Sequence, residues 1–360
     1  MWNQWRCHVK GRPKTYWTKM LNYHEKSSVN PGFWLFLAIS AIIMGLSPQA
    51  WAPYRYRHAI DDPLGRQKSL VLDVHGDFAV RGTKVHLASV RRMFNTGVKK
   101  LAQMDDLASA WRYFIHDDDV VALTFTKVGG RAMGTNKTVA AALLQSLYLA
   151  GFKPENFMLV GLEDLPEEAR GTRPCRYGWQ KEKLDFDSDQ DYLAGWLEDV
   201  TAIINIPSLM DDNIIGLRGA MANLSWPMIK SPAKLYKYMS QKHGTSGDPF
   251  TAEIYALPQI RGKVRLHIFN ALRILYYGGP EVKQTYVFEH GSLIFSTDPV
   301  AIDRVGLELI HRTRREETLP ANVDENITAP YLETAQAMGL GYNALELDFI
   351  DYQCIRHEKE

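Results

Sequence analysis

Apolar residues occur in this chain at two different periods. Predominantly apolar runs at residues 120–125 (V-V-A-L-T-F) and within 200–206 (A-I-I-N-I at its centre) predict strands buried on both faces. Residues 84–104 instead carry Leu87, Val90, Phe94, Val98 and Leu101 at helical spacing, with Arg91, Arg92, Lys99 and Lys100 elsewhere on the helix surface and Asn95-Thr96-Gly97 in its middle. After the first run come a glycine-bearing loop at 126–137 and an apolar helix at 138–150. Gly151 sits where a left-handed cap belongs, Lys153-Pro154 stops the helix, and 157–162 is the next strand. This is a strand–helix–strand crossover. Further strands are expected at 69–74, at 264–269 ending at Asn270, at 293–295 and at 347–350. Helices are expected from Asp298-Pro299 to about residue 311 and over 330–338. Residues 163–191 read as a polar surface excursion, the segment after Pro207 as an irregular loop entering a helix near Leu217, residues 230–242 as basic and aromatic, and 244–249 as a turn region. Alternating strands and helices predict an α/β fold, a mixed or mostly parallel sheet with helices on both faces in one large domain over 67–357.

The N-terminal region has a different pattern. Residues 1–30 are basic, with Glu25 the single acid, and precede fourteen uncharged residues, F-W-L-F-L-A-I-S-A-I-I-M-G-L, at 33–46. The small-x-small triplet Ala50-Trp51-Ala52 completes a signal-peptide profile over 31–52, followed by a basic, proline-containing linker at 53–66. Pro53 after the cleavage position disfavours cutting, so the same segment also reads as an uncleaved anchor, with membrane contact through residues 33–52. The expectation is an exported protein, extracytoplasmic and either free or tethered.

Composition removes several function classes. The 42 basic and 41 acidic residues nearly cancel, so nothing favours a nucleic-acid partner. Cys7, Cys175 and Cys354 are too few and too scattered for an iron–sulfur cluster or a structural zinc site. His-Glu-x-x-His, Cys-x-x-Cys and calcium-loop patterns are lacking, and the adjacent acids Asp117, Asp118 and Asp119 read as a solvated turn.

Candidate chemistry gathers at predicted strand ends. Gly129 and Gly134 stand at Walker spacing, but Thr135-Asn136 replace the required Lys and Ser/Thr, and no Gly-x-Gly-x-x-Gly is present. There remains a loop with Lys127, Gly129, Gly130, Arg131, Gly134, Thr135 and Asn136 at a helix N-terminus, where free N–H groups attract an anion. Asp298 reads as an N-cap, whereas Asp303 falls among Val300, Ala301, Ile302 and Val305 and so needs a partner or a role. These two aspartates are the catalytic candidates. If the strands run parallel, the segments after 125, 206, 269 and 296 share one rim, where open α/β sheets bind ligands. That adds Asn223 and Asn270 as ligand-binding candidates and Asp211 and Asp212 as candidate ligands for a divalent cation.

Six ordered blocks carry a resemblance: V-A-L-T-F-T-K-V-G-G-R-A-M-G-T, I-I-N-I-P-S-L-M-D-D-N, A-N-L-S-W, A-L-P-Q-I-R-G-K-V-R-L-H-I-F-N-A-L-R-I-L-Y-Y-G-G-P, S-T-D-P-V-A-I-D-R-V-G and Y-L-E-T-A-Q-A-M-G-L-G. In order, they resemble the domain-of-unknown-function family 362 over roughly residues 70–350. The resemblance implies an α/β fold and no particular reaction; some members carry ferredoxin-type clusters, which the cysteine count here argues against. Departures from the family pattern are Thr124 and Thr126 for a lysine and an asparagine, Asn136-Lys137 for His-Pro, Met210-Asp211-Asp212 for Lys-x-His, Ala222 for the lysine before Asn223, and Asn270 for an aspartate. Lysines that neutralise an anion or form an imine are therefore missing from the matched positions. Two functions follow: binding of a small polar or anionic molecule at the rim, or a non-catalytic interaction or scaffold role with a degenerate site.

Overall fold

In the computed structural model, residues 68–186, 189–234, 249–317, 319, 327–343 and 350–357 are described. The signal or anchor segment at 31–52, the linker and most of 230–249 lie outside them. Among the described residues no helix is long and apolar enough to cross a membrane.

The elements in chain order are β1 (Ser69–Gly76), β2 (Val80–Arg81), β3 (Lys84–Val85), α1 (Leu87–Ala102), α2 (Leu107–Arg112), β4 (Val121–Phe125), α3 (Asn136–Leu149), β5 (Phe157–Val160), β6 (Trp179–Phe186) and β7 (Asp189–Ala194). There follow β8 (Ala202–Ile206), β9 (Ser208–Asp212), β10 (Gly216–Arg218), α4 (Ala220–Asn223), α5 (Pro249–Ala256), α6 (Pro258–Arg261), β11 (Val264–Leu275), β12 (Val287–Ser296), α7 (Pro299–Glu316), α8 (Tyr331–Ala337) and β13 (Ile350–His357).

A mixed, mostly parallel sheet runs β13-β1-β12-β11-β8-β4-β5, with β9 alongside β11 and β10 beside β9. β4 is parallel to both β5 and β8, and β8 is parallel to β11, while β12 lies antiparallel between β11 and β1. Successive side chains on a strand point to opposite faces, and here they divide two cores. Leu123, Ile204, Ile268 and Phe295 pack beneath α1, α2 and α3; Ala122, Ile203, Phe269 and Ile294 pack beneath α5, α7 and α8. The α/β architecture expected from the alternation of elements is therefore present, as a single domain.

Gly97, which interrupts the helical pattern of α1, lies against the Phe295 ring: an added Cβ would stand 2.3 Å from Phe295 Cε2. It is the close-approach point of helix and sheet. α3 is buried around most of its circumference, which explains why its sequence shows little amphipathic contrast.

The structure corrects several local expectations. α1 begins at Leu87 because Lys84–Val85 pairs with Val80–Arg81. The polar excursion contains the antiparallel hairpin β6–β7, whose charged face is solvated. The segment after Pro207 is no irregular loop: β9 is buried at all five positions and forms a hairpin with β10. β11 continues to Leu275, so Asn270 lies within a strand and not at its end. β12 runs antiparallel to its neighbours, so Asp298 leaves the sheet away from the rim that β4 and β8 form, and the premise of one shared rim fails for it. The last strand occupies Ile350–His357 and pairs in parallel with β1.

Candidate functional site

The β4–loop–α3 unit forms a cleft of about 250 Å³, lined by Lys127, Gly130, Arg131, Asn136, Lys137 and, from the turn after β5, Gly161 to Asp164. Its walls require glycine. A Cβ on Gly130 would stand 1.9 Å from the Thr126 carbonyl oxygen, and one on Gly161, at φ +84°, would stand 2.1 Å from that of Phe125. The loop is braced from β11, since Arg273 Nη1 donates to the Met133 carbonyl at 2.6 Å.

Among the described residues the amides of the first turn of α3 have no side-chain cap. The reason is local: the N-cap hydroxyl of Thr135 accepts from Asn270 Nδ2 at 2.7 Å, and Asn136 Oδ1 accepts from Asn270 Nδ2 at 2.8 Å and from Ser208 Oγ at 3.2 Å. A fourteen-residue helix thus presents free N–H groups and the positive end of its dipole. Lys127, Arg131 and Lys137 line the same cleft against Glu163 and Asp164, a balance of three cations to two anions. Arg131 is engaged with Glu163 at 3.0 Å and Asp164 at 3.7 Å, and Lys127 Nζ lies 5.8 Å from the Tyr177 ring centre.

Behind the cleft lies a buried polar network. Thr126 Oγ1 accepts from the Ser208 amide at 2.9 Å and donates to Asn223 Oδ1 at 3.1 Å; Asn136 Nδ2 donates to the Thr126 carbonyl at 3.3 Å. Asn223 Nδ2 and Thr124 Oγ1 both donate to Asn205 Oδ1, at 2.7 and 3.0 Å. Asn205 Nδ2 reaches the Ala220 carbonyl at 2.8 Å and His267 Nδ1 at 3.0 Å, and His267 Nε2 lies 3.1 Å from the Tyr255 hydroxyl. Pattern reading missed Asn205, His267 and Tyr255. For Asn205 the signal was present as the single polar residue of an otherwise apolar strand, a position that buried polar chemistry must justify; His267 and Tyr255 share their elements with other polar residues and carried no such signal.

Asp298 and Asp303 lie apart from this cleft and are fully buried. Asp298 Oδ1 accepts from the Val300 and Ala301 amides at the start of α7, and its Oδ2 accepts from Ser69 Oγ at 2.6 Å and the Tyr342 amide at 3.1 Å. Asp303 Oδ1 caps α4 through the Ala220 amide at 2.5 Å, and its Oδ2 accepts from the Met221 amide at 3.1 Å and the Tyr331 hydroxyl at 3.0 Å. Burial pushes the carboxyl of Asp298 up to about 6 and that of Asp303 up to about 7, against the opposing pull of these donors. Tyr255, buried near both acids, is likewise raised well above the usual phenol value, by burial first and then by their charges.

Asp211 and Asp212 are also held by partners. Arg314 Nη2 donates to Asp211 Oδ1 at 2.8 Å and the Gly279 amide to Oδ2 at 3.1 Å; Arg218 donates to Asp212 Oδ2 at 3.0 and 2.7 Å, and the Ile214 and Ile215 amides to Oδ1. The structure therefore gathers Lys127, Gly130, Arg131, Gly134 and Asn136 around one cleft, sets Thr135, Asn223 and Asn270 in the polar network behind it, and leaves the four aspartates out of the cleft lining, with Asp303 touching the far end of the network at Ala220. Gly129, at φ +75°, shapes the loop and packs toward Met210 and Pro280.

The family model described as a domain of unknown function, DUF362, matches residues 162–308. That span begins in the cleft wall at Leu162 and ends within α7, and it covers the β8–β9 and β11–β12 segments that carry the buried network. No curated protein matches the chain.

Proposed function

We propose that this DUF362-like protein binds a small anionic molecule, a carboxylate or phosphate, in the cleft at the carboxyl ends of β4 and β5. The observation that carries the proposal is the uncapped N-terminus of α3 opening into a cleft flanked by Lys127, Arg131 and Lys137. Helix amides and nearby cations together are the ordinary means of holding such a group. Glu163 competes for Arg131, so ligand entry exchanges one ion pair for another. No reaction is assigned. We extend the proposal to location, an exported or membrane-tethered protein, on the uncharged run at 33–46 and its basic flank. Accessibility of the folded region to added protease in intact and permeabilised cells tests that part.

Binding is tested by calorimetric titration of the full chain with inorganic phosphate and with malonate. Saturable binding that weakens with salt is expected, with Lys137→Ala reducing affinity about tenfold, the worth of one charge-assisted hydrogen bond. Glu163→Gln should strengthen it by releasing Arg131. Absence of saturable binding of either anion at millimolar concentration overturns the reading.

A second reading, a non-catalytic interaction or scaffold protein, is favoured by one observation. The polar side chains behind the cleft, from Thr126 through Asn223 and Asn205, bond to one another and not toward the opening. Under that reading the cleft is a remnant, and anion titration returns no heat.

A further inference from the structure

Far from the cleft, at the junction of β1 and β12, Asp73, His75 and His290 bring one potential ligand atom each to within 4.8 Å of one another. All three are buried, at 1%, 3% and 6% exposure. Their sequence spacing explains part of this convergence. Asp73 and His75 are two apart on β1 and point to the same face of the sheet. Ser292 stands directly opposite His75 in the antiparallel register.

His290 reaches the group through an irregularity. Between β11 and β12 the register passes from Ala271↔Ser292 to Arg273↔Glu289, so β12 carries one extra residue there. Gly291, at φ +80°, supplies the left-handed conformation of that bulge. Bulges re-aim a side chain, and this one sets the His290 ring edge-on to His75, with centroids 4.8 Å apart. His290 Nε2 lies 3.9 Å from Asp73 Oδ2, beyond a hydrogen bond.

The polar accounting around these residues is incomplete in one direction. Asp73 Oδ2 accepts from the Tyr352 hydroxyl at 2.6 Å, whereas the buried atoms Asp73 Oδ1, His290 Nε2 and Ser292 Oγ have no hydrogen-bond partner among the described residues. Buried polar atoms are ordinarily satisfied, and a carboxylate oxygen, an imidazole nitrogen and a hydroxyl left over together form the donor set of a metal ion. We propose that Asp73, His75 and His290 bind a divalent transition-metal ion, with Asp73 Oδ1 as the carboxylate ligand and Ser292 Oγ beside the remaining coordination position. Two imidazoles and one carboxylate select an ion of the zinc, cobalt or ferrous class over calcium or magnesium. Tyr352 fills the outer role, orienting the carboxylate by its hydrogen bond as such partners do. Tetrahedral ligation at about 2.0–2.1 Å brings ligand atoms to roughly 3.3 Å from one another, so binding closes separations of up to 4.8 Å by up to about 1.5 Å through side-chain rotation. The site stands independently of the anion cleft, being built on other strands.

The test uses the full chain stripped with chelator and then titrated with Co²⁺ and Zn²⁺ alone. Binding is followed by cobalt ligand-field absorption, metal analysis after gel filtration and thermal unfolding. One ion per chain and a raised Tm are expected. His290→Gln, close in size and confirmed folded by circular dichroism, should abolish stoichiometric binding. Tyr352→Phe, which leaves every ligand in place, should weaken it about 10- to 100-fold. Two results overturn the proposal: no saturable cobalt binding by folded wild-type protein, or binding that His290→Gln and His75→Gln leave unchanged, which would assign the ion to histidines elsewhere in the chain.

Discussion

Replacing Asp303 by alanine removes the acceptor shared by the Ala220 amide, the Met221 amide and the Tyr331 hydroxyl, all in the interior between α4, α7 and α8. Each buried donor left without a partner costs about 1–3 kcal/mol, and partial relaxation or water entry recovers some of it, so a net loss of ~3–5 kcal/mol is expected. Against a typical domain stability of about 5–15 kcal/mol this is a large fraction. The loss also depends on pH. The folded-state carboxyl lies near 7, above the ordinary value of 3.8, because burial disfavours the charge. Between those values the native state holds a proton that the unfolded state has released. The contribution of Asp303 is therefore complete below about pH 4 and declines as pH rises through about 7. A shift from 3.8 to about 7 corresponds to roughly 4 kcal/mol at ~1.4 kcal/mol per unit. Urea unfolding of the full chain, followed by tryptophan fluorescence from pH 4 to 8, measures both quantities. The gap between wild type and Asp303→Ala should be largest near pH 4–5 and narrow toward pH 8, and Asp303→Asn should lose the pH-dependent part. A gap below about 1 kcal/mol throughout, or one that widens with pH, refutes the assignment of Asp303 as a buried, largely protonated cap.

Two other substitutions probe the neighbouring structure. Gly130→Ala places a methyl 1.9 Å from the Thr126 carbonyl and 2.6 Å from Asn136 Nδ2, neither able to yield cheaply; a destabilisation of about 1–3 kcal/mol by thermal unfolding and loss of phosphate binding by calorimetry are expected together. Arg314→Ala leaves Asp211 buried without its counter-charge, for a cost of about 3–5 kcal/mol in denaturant unfolding, whereas adding Asp211→Asn to that variant should restore part of it.

The crossover from β4 through α3 to β5 was legible in the linear pattern because its causes are local. β4 is apolar except at Thr124, Gly151 takes φ +91° at the helix end, and Pro154 lies just beyond. The same holds for Asp298, whose capping of α7 involves residues two and three positions away. The cleft residues Lys127, Gly130, Arg131, Gly134 and Asn136 were legible for that reason too, falling within ten residues from the end of β4 to the first turn of α3.

The direction of β12, by contrast, depends on pairing with β1 more than two hundred residues earlier, and no local pattern encodes it. Asp303 was visible as an anomaly, an acid in apolar company, but its partners lie 83, 82 and 28 residues away, so only packing revealed them. Asp211 and Asp212 looked free to hold a cation until Arg314 and Arg218 were brought beside them. Asp73, His75 and His290 show the division most sharply. The same-face spacing of the first two was written in the chain, but the third joins them through strand pairing and a bulge at Gly291. Local conformation follows from short-range sterics and burial period, whereas which distant side chains meet is set by register, where a shift of one residue moves a side chain to the other face of the sheet.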